Sequence, residues 1–191
     1  MIMIFDPDVH HRRSIRLKDY DYSQPGAYFV TICAKGRECL FGHVIDGMML
    51  PNDSGKIAVS CWHDLTTHYE YVGLDAFVVM PNHVHGIIIL RHPDDVGAGL
   101  KPAPTLKRHG LPEIVRAFKT FSSRRINILR SSPGMPVWQR NYYEHVIRNE
   151  HDMHAVREYI VNNPAGWNKD EENPAVGAGL KPAPTLNRTH G

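Results

Sequence analysis

No run in this chain approaches the ~18 consecutive apolar residues that cross a bilayer. The opening "MIMIFDPDVHHRR" is apolar for only five positions before an aspartate and a proline, too short for the core of a signal peptide. Cysteine is scarce. Cys33, Cys39 and Cys61 are an odd number, without CxxC or any other metal-ligand spacing. They read as reduced thiols, which excludes a disulfide framework, and the expectation is a cytoplasmic protein. A large charge of one sign is missing too: 22 Lys+Arg stand against 20 Asp+Glu, a formal net charge of +2, too small by itself to demand a polyanionic partner.

What is present suits one domain with appendages: 191 residues, 42% hydrophobic and 22% charged. Basic residues cluster in "HHRRSIRLK" near the start and in "VRAFKTFSSRRINILR" further on. "AYFVTICAK" (27–35) is rich in β-branched and aromatic residues and reads as a strand. "LFGHVIDGMMLP" (40–51) sets Asp-Gly between short apolar runs, a hairpin signal. Ile57, Cys61, Trp62 and Leu65 recur at helical spacing after the capping residues "NDSG", which predicts a helix over 54–69. "VGLDAFVVMP" and "HVHGIIILR" follow as strands joined near Pro81-Asn82. A helix over 111–130 has Pro112 in its first turn, and another over 150–164 is stopped by Pro164. "PVWQRNYYEHVIR" is ambiguous between strand and extended loop. Strands alternating irregularly with helices predict an α+β domain, a mostly antiparallel sheet with helices packed on it. The expected layout is a basic arm over 1–26, a domain over 27–168 with an inserted Gly/Pro-rich loop at 96–110, and a tail over 169–191.

"VGAGLKPAPTL" occurs at 96–106 and again, letter for letter, at 176–186. Eleven identical residues do not recur by chance. Two copies with unlike surroundings are not a solenoid either. Glycine, alanine and proline offer little side chain to bury, so the repeat is not expected to serve the fold.

"VVMPNHVHGIIIL" places His83 and His85 one residue apart in an apolar run. On a strand both face the same way, while Val84 faces the opposite layer. Two imidazoles so placed can share a divalent metal. With 13 histidines in the chain, about one such pair arises by chance, so the spacing alone leaves open two edge-strand histidines at the water boundary. "REYIVNNP" sets Tyr159 and Asn163 four apart, on one helical face. A tyrosine is a weak nucleophile near its free pKa and needs an activated electrophile or a base. Asn163 offers a neutral oxygen ligand. The alternative for Tyr159 is a core tyrosine with its hydroxyl at the rim.

"AFVVMPNHVHGIIIL", a basic helix, "VWQRNYYEHVIRNEHD" and "REYIVNNP", in that order, resemble the REP-associated tyrosine transposases. These belong to the single-tyrosine HUH group, named for histidine, hydrophobic residue, histidine. "YDYSQPGAYFVTICAKGRECLFG" resembles the opening strand of that group, and the likeness spans residues 12–168. It implies a ferredoxin-like α+β fold with the HUH motif on a central strand, acting on single-stranded hairpin DNA. His83 and His85 match the metal-binding pair, for Mg²⁺ or Mn²⁺. Tyr159 matches the nucleophile, which forms a 5′-phosphotyrosine. Asn163 matches the third-ligand position, where mobile relatives often carry Gln. The "WQ" at 138–139 and "EHVIR" at 144–148 match further family positions. Arg116, Lys119, Arg124 and Arg125 on the basic helix, with Arg12, Arg13 and Arg16 in the arm, are then candidate phosphate contacts. A solvated charged helix face is the plainer reading of the same residues. The protein is expected to act as a monomer or homodimer. Two rival readings are a domesticated hairpin-DNA-binding protein without transposition activity and an unrelated HxH metal-dependent hydrolase.

Overall fold

The computed structural model describes residues 20–92, 109–170 and 172–177. Arg12, Arg13 and Arg16, the first copy of the repeat and most of the second lie outside them. The chain runs β1 (Gly26–Cys33), a hairpin of β2 (Gly42–Ile45) and β3 (Met48–Pro51), α1 (Asp53–His63), α2 (Leu65–His68), β4 (Val72–Val79) and β5 (His83–Leu90). Then come α3 (Leu111–Leu129), β6 (Tyr143–Ile147), α4 (Glu150–Gly166), a 3₁₀ turn at Trp167–Lys169 and α5 (Pro174–Gly177). The main sheet has the order β4-β5-β1-β6 with every neighbouring pair antiparallel. Apart from the small hairpin, β1-α1-β4-β5-α3-β6 is the β-α-β-β-α-β succession of a ferredoxin-like fold. Among the described residues no helix is long and apolar enough to cross a membrane.

Strand alternation divides the core between the two faces of this sheet. On one face Val30, Ile32, Val84 and Ile88 meet Ala58 and Trp62 of α1 and Val115 and Phe118 of α3. On the other, Phe29 and Ile87 meet Val156 and Ile160 of α4. Gly86 is required on the first face. A Cβ there would overlap the Trp62 ring, which is fully buried and stacked on Phe77 at 4.6 Å.

Several sequence expectations are adjusted by the structure. The helix expected over 54–69 divides at Asp64, with the Asn52 side chain capping its start by accepting from Gly55 N at 3.0 Å. The Asp46-Gly47 turn has φ of 50° and 73°, so both central residues are left-handed, as a two-residue hairpin prefers. Pro164 does not stop its helix. α4 continues to Gly166, because proline removes one N–H without forbidding one further half-turn in a chain already turning into the 3₁₀ segment. The ambiguous 136–148 stretch is both things: Gln139 N bonds to Cys33 O at 2.9 Å and Trp138 bridges Ala34, after which β6 pairs with β1. Within the stretch expected as a tail over 169–191, the described residues touch the domain. Glu172 forms an ion pair with Arg37 at 2.9 Å, and its carbonyl accepts from Asn82 at 2.6 Å.

Candidate active site

β5 carries His83 and His85 on the face covered by α4, each buried, at 0% and 2% exposure. Because β5 is flanked by β4 and β1, these are central-strand residues, and the edge-strand alternative does not apply. Their Nε2 atoms lie 2.9 Å apart. Asn82 uses its Nδ2 to donate to the carbonyls of Arg37 and Glu172, which leaves its Oδ1 to accept from His83 Nδ1 at 2.8 Å. Thr31, the cross-strand neighbour of His85, holds that ring's Nδ1 through its hydroxyl at 2.8 Å. With both protons on Nδ1, two Nε2 lone pairs converge on one point, the orientation that outer-shell partners impose on metal-binding histidines. Adjacent ligands on bonds of ~2.1 Å at a right angle stand about 3 Å apart, so the pair fits a small divalent cation. Burial pushes the His83 pKa below the usual imidazole value, which favours the neutral ring with a free lone pair.

α4 brings Tyr159 to the same point. Asn149 caps the helix by accepting from Asp152 N at 2.8 Å, and Asp152 in turn holds His145 Nε2 of β6 at 2.9 Å. At a bulge in β4, Asp75 accepts from Arg157 Nε and Nη2 at 2.8 and 2.7 Å, fixing the helix against the sheet. The Tyr159 hydroxyl consequently lies 3.4 Å from His85 Nε2, with its ring edge-on to His85 and to Phe29. Burial pushes the phenol pKa upward, and Asp170 and Glu172 add to it, while the Asn163 amide acts in the opposite direction. Asn163 is buried, and its Oδ1 has no hydrogen-bond partner among the described residues, the condition of an oxygen suited to a ligand.

Asp170 is the residue that sequence reasoning missed. It follows the 3₁₀ turn, and its carboxylate lies with a ring nitrogen of His83 and of His85 in a cluster whose atoms are all within 4.8 Å of one another. The signal was an acidic stretch, "KDEEN", shortly after the tyrosine helix, which resembles any solvated acidic run. Neighbouring Glu172 pins this segment to Arg37 and accepts from Cys33 Sγ at 3.8 Å.

The basic helix does not join this cluster. α3 packs on the opposite face of the sheet. There the Lys119 ammonium donates to the carbonyls of Gln139, Arg140 and Asn141 at 3.1, 3.2 and 3.0 Å, so its three N–H groups tie down the loop before β6. Arg125 pairs with Asp64 at 2.8 Å. Arg116 and Arg124 are exposed.

No protein-family model matches the chain. An uncharacterized protein of Haemophilus influenzae is 42% identical over 176 residues, covering 87% of this chain and 96% of its own length. A second protein of that organism, provisionally named a REP-associated tyrosine transposase, is 26% identical over 144 residues, or 75% of this chain and 73% of its own. Among solved structures, a REP-associated tyrosine transposase bound to a REP hairpin has a TM-score of 0.50 at 19% identity, over 76% of this chain and 70% of that one. A provisionally named transposase of Deinococcus radiodurans has a TM-score of 0.45 at 22% identity, over 75% and 93%. The resemblance read in the sequence thus has a counterpart in the fold.

Proposed function

This chain belongs to one family with the uncharacterized Haemophilus influenzae protein and has the fold of a REP-associated tyrosine transposase, and from that footing we propose that it is a metal-dependent single-strand DNA endonuclease and strand transferase acting on palindromic hairpin DNA. The observation that carries the proposal is one point of convergence: the Tyr159 hydroxyl stands 3.4 Å from the Nε2 of a histidine whose Nε2 is itself 2.9 Å from that of His83. His83, His85 and Asp170 would hold the cation, with the Asn163 Oδ1 as a further oxygen donor. Bound Mg²⁺ or Mn²⁺ would draw charge from a phosphate oxygen, and two imidazoles favour Mn²⁺ of the pair.

Tyr159 supplies the nucleophile. Its Oη loses a proton and bonds to phosphorus, the bond from phosphorus to the 3′-oxygen breaks, and that oxygen takes up a proton. The 5′-phosphate stays on Tyr159. A different 3′-hydroxyl reverses the sequence and joins strands without a nucleotide cofactor. Phe29 and the α4 anchors keep the phenol beside the imidazoles, which restricts its search for an in-line approach. Arg116 and Arg124 serve as phosphate contacts away from the scissile link, since α3 lies across the sheet from Tyr159, and Arg12, Arg13 and Arg16 are further phosphate contacts on the basic charge of their stretch alone. Lys119 and Arg125 have internal partners and contribute less.

The test is incubation of labelled single-stranded hairpin DNA with the full chain and Mn²⁺, followed by denaturing electrophoresis. A covalent adduct is expected, and Tyr159→Phe removes it while hairpin affinity stays within about twofold, since the hydroxyl acts only in the chemical step. Hairpin binding without an adduct would favour a DNA-binding protein that has lost the reaction. An adduct retained by Tyr159→Phe would move the nucleophile to Tyr143, which shares this face of the sheet. Tyr142 packs with the opposite core, under Lys119.

A further inference from the structure

The eleven residues at 96–106 and 176–186 are identical, yet they sit in unrelated places. The first copy lies between the end of β5 at Leu90 and the start of α3 at Leu111, and the second begins at Val176 in α5. Neither interrupts a strand of the sheet or α1, α3 or α4. Two unlike settings do not select one residue order, so the identity points to the coding DNA rather than to packing.

The order itself has a symmetry that the genetic code converts into base complementarity. Gly-Ala-Gly before Leu-Lys mirrors Pro-Ala-Pro after it. Glycine codons begin GG and proline codons CC, which are complements. Alanine codons begin GC, which is its own reverse complement. Val-Gly-Ala-Gly-Leu-Lys-Pro-Ala-Pro-Thr can be written GTA GGG GCG GGT TTG AAA CCC GCC CCT AC. In that coding GTAGGGGCGGGTTT is followed, after a single G, by AAACCCGCCCCTAC, its own reverse complement. As a single strand it closes into a G·C-rich stem, the innermost A·T pairs opening to form the loop. A linker copied by ordinary recombination explains the identity of the copies but not this mirror order within each.

We propose that both copies are in-frame insertions of one DNA palindrome, and that the hairpin formed by this palindrome is the substrate of the chain's own Tyr159 site. The gene then carries two copies of the DNA its product acts on, at positions where translation of the insert spares the sheet. The substrate assignment rests on the reading in the preceding subsection and adds to it the identity of the stem.

Two measurements decide it. Sequencing codons 96–105 and 176–185 should return complementary arms in both copies, and codon choices that break the pairing overturn the proposal outright. The full chain with Mn²⁺ is then offered the palindromic oligonucleotide with single-stranded flanks, a scrambled-stem oligonucleotide of equal composition, and an unrelated hairpin. Binding of the palindrome about tenfold or more tighter than either control, with a Tyr159-dependent adduct, is the expected result. Equal binding and equal adduct on all three would overturn the substrate assignment and leave the transferase reading standing. An adduct on none would overturn the transferase reading, and with it the claim that this site cleaves the palindrome.

Discussion

Gly86→Ala tests whether packing behind β5 holds the histidines in place. The added methyl would fall on the six-membered ring of Trp62, with Phe77 also at 3.0 Å. That ring has no room to retreat: it is fully buried, stacked on Phe77 at 4.6 Å and edge-on to Phe118 at 5.5 Å. Overpacking of this kind costs roughly 1–3 kcal/mol, which in a chain of this size lowers Tm by roughly 2–12 °C in a thermal unfolding scan. The strand can yield only toward α4, which displaces His85, so Mn²⁺ affinity should fall in parallel. A double-mutant cycle assigns the cause. Trp62→Leu is itself destabilising because it leaves a cavity, but in that background Gly86→Ala should cost at least about 1 kcal/mol less than in the parent. An unchanged Tm, or the same cost in both backgrounds, would refute the close approach as the reason for glycine here.

Thr31→Val removes the oxygen that holds His85 Nδ1 at 2.8 Å and should weaken Mn²⁺ binding about 10–100-fold by calorimetry; undiminished affinity would show that the hydroxyl does not orient the ring. Asp170→Asn should lower Mn²⁺ affinity more than Asn163→Ala, since it removes the charged member of the cluster, and the reverse ranking would reassign the third ligand. Cys33 is pushed up to about 12, first by burial and then by Glu172, so very little of it is thiolate at pH 8. A maleimide at that pH should therefore modify exposed Cys39 well ahead of Cys33, and peptide mass spectrometry showing the opposite order would contradict the placement of Cys33.

The local elements were legible because each is written within a short window. Asp46-Gly47 announces its hairpin, and the period of two in "HVHGIIIL" puts His83 and His85 on one side of a strand whatever the strand pairs with. The four-residue step from Tyr159 to Asn163 likewise sets both on one side of α4. The mirror order of the eleven-residue repeat is purely a property of sequence.

Tertiary structure decided the rest, through contacts between residues far apart in the chain. Closure of the sheet as β4-β5-β1-β6 makes β5 central and buries the two imidazoles, which the HxH spacing left undecided. It also sets Thr31 against His85, fifty-four positions away, and folds Asp170 back onto the same pair. Lys119 reads as one more phosphate-binding cation until the loop at 139–141 closes over it and its carbonyls accept three hydrogen bonds from the ammonium. Periodicity reports which side of an element a residue occupies, because side-chain direction follows from the backbone within a turn or two. What that side meets depends on the order in which elements pack, and no window of neighbouring residues contains it.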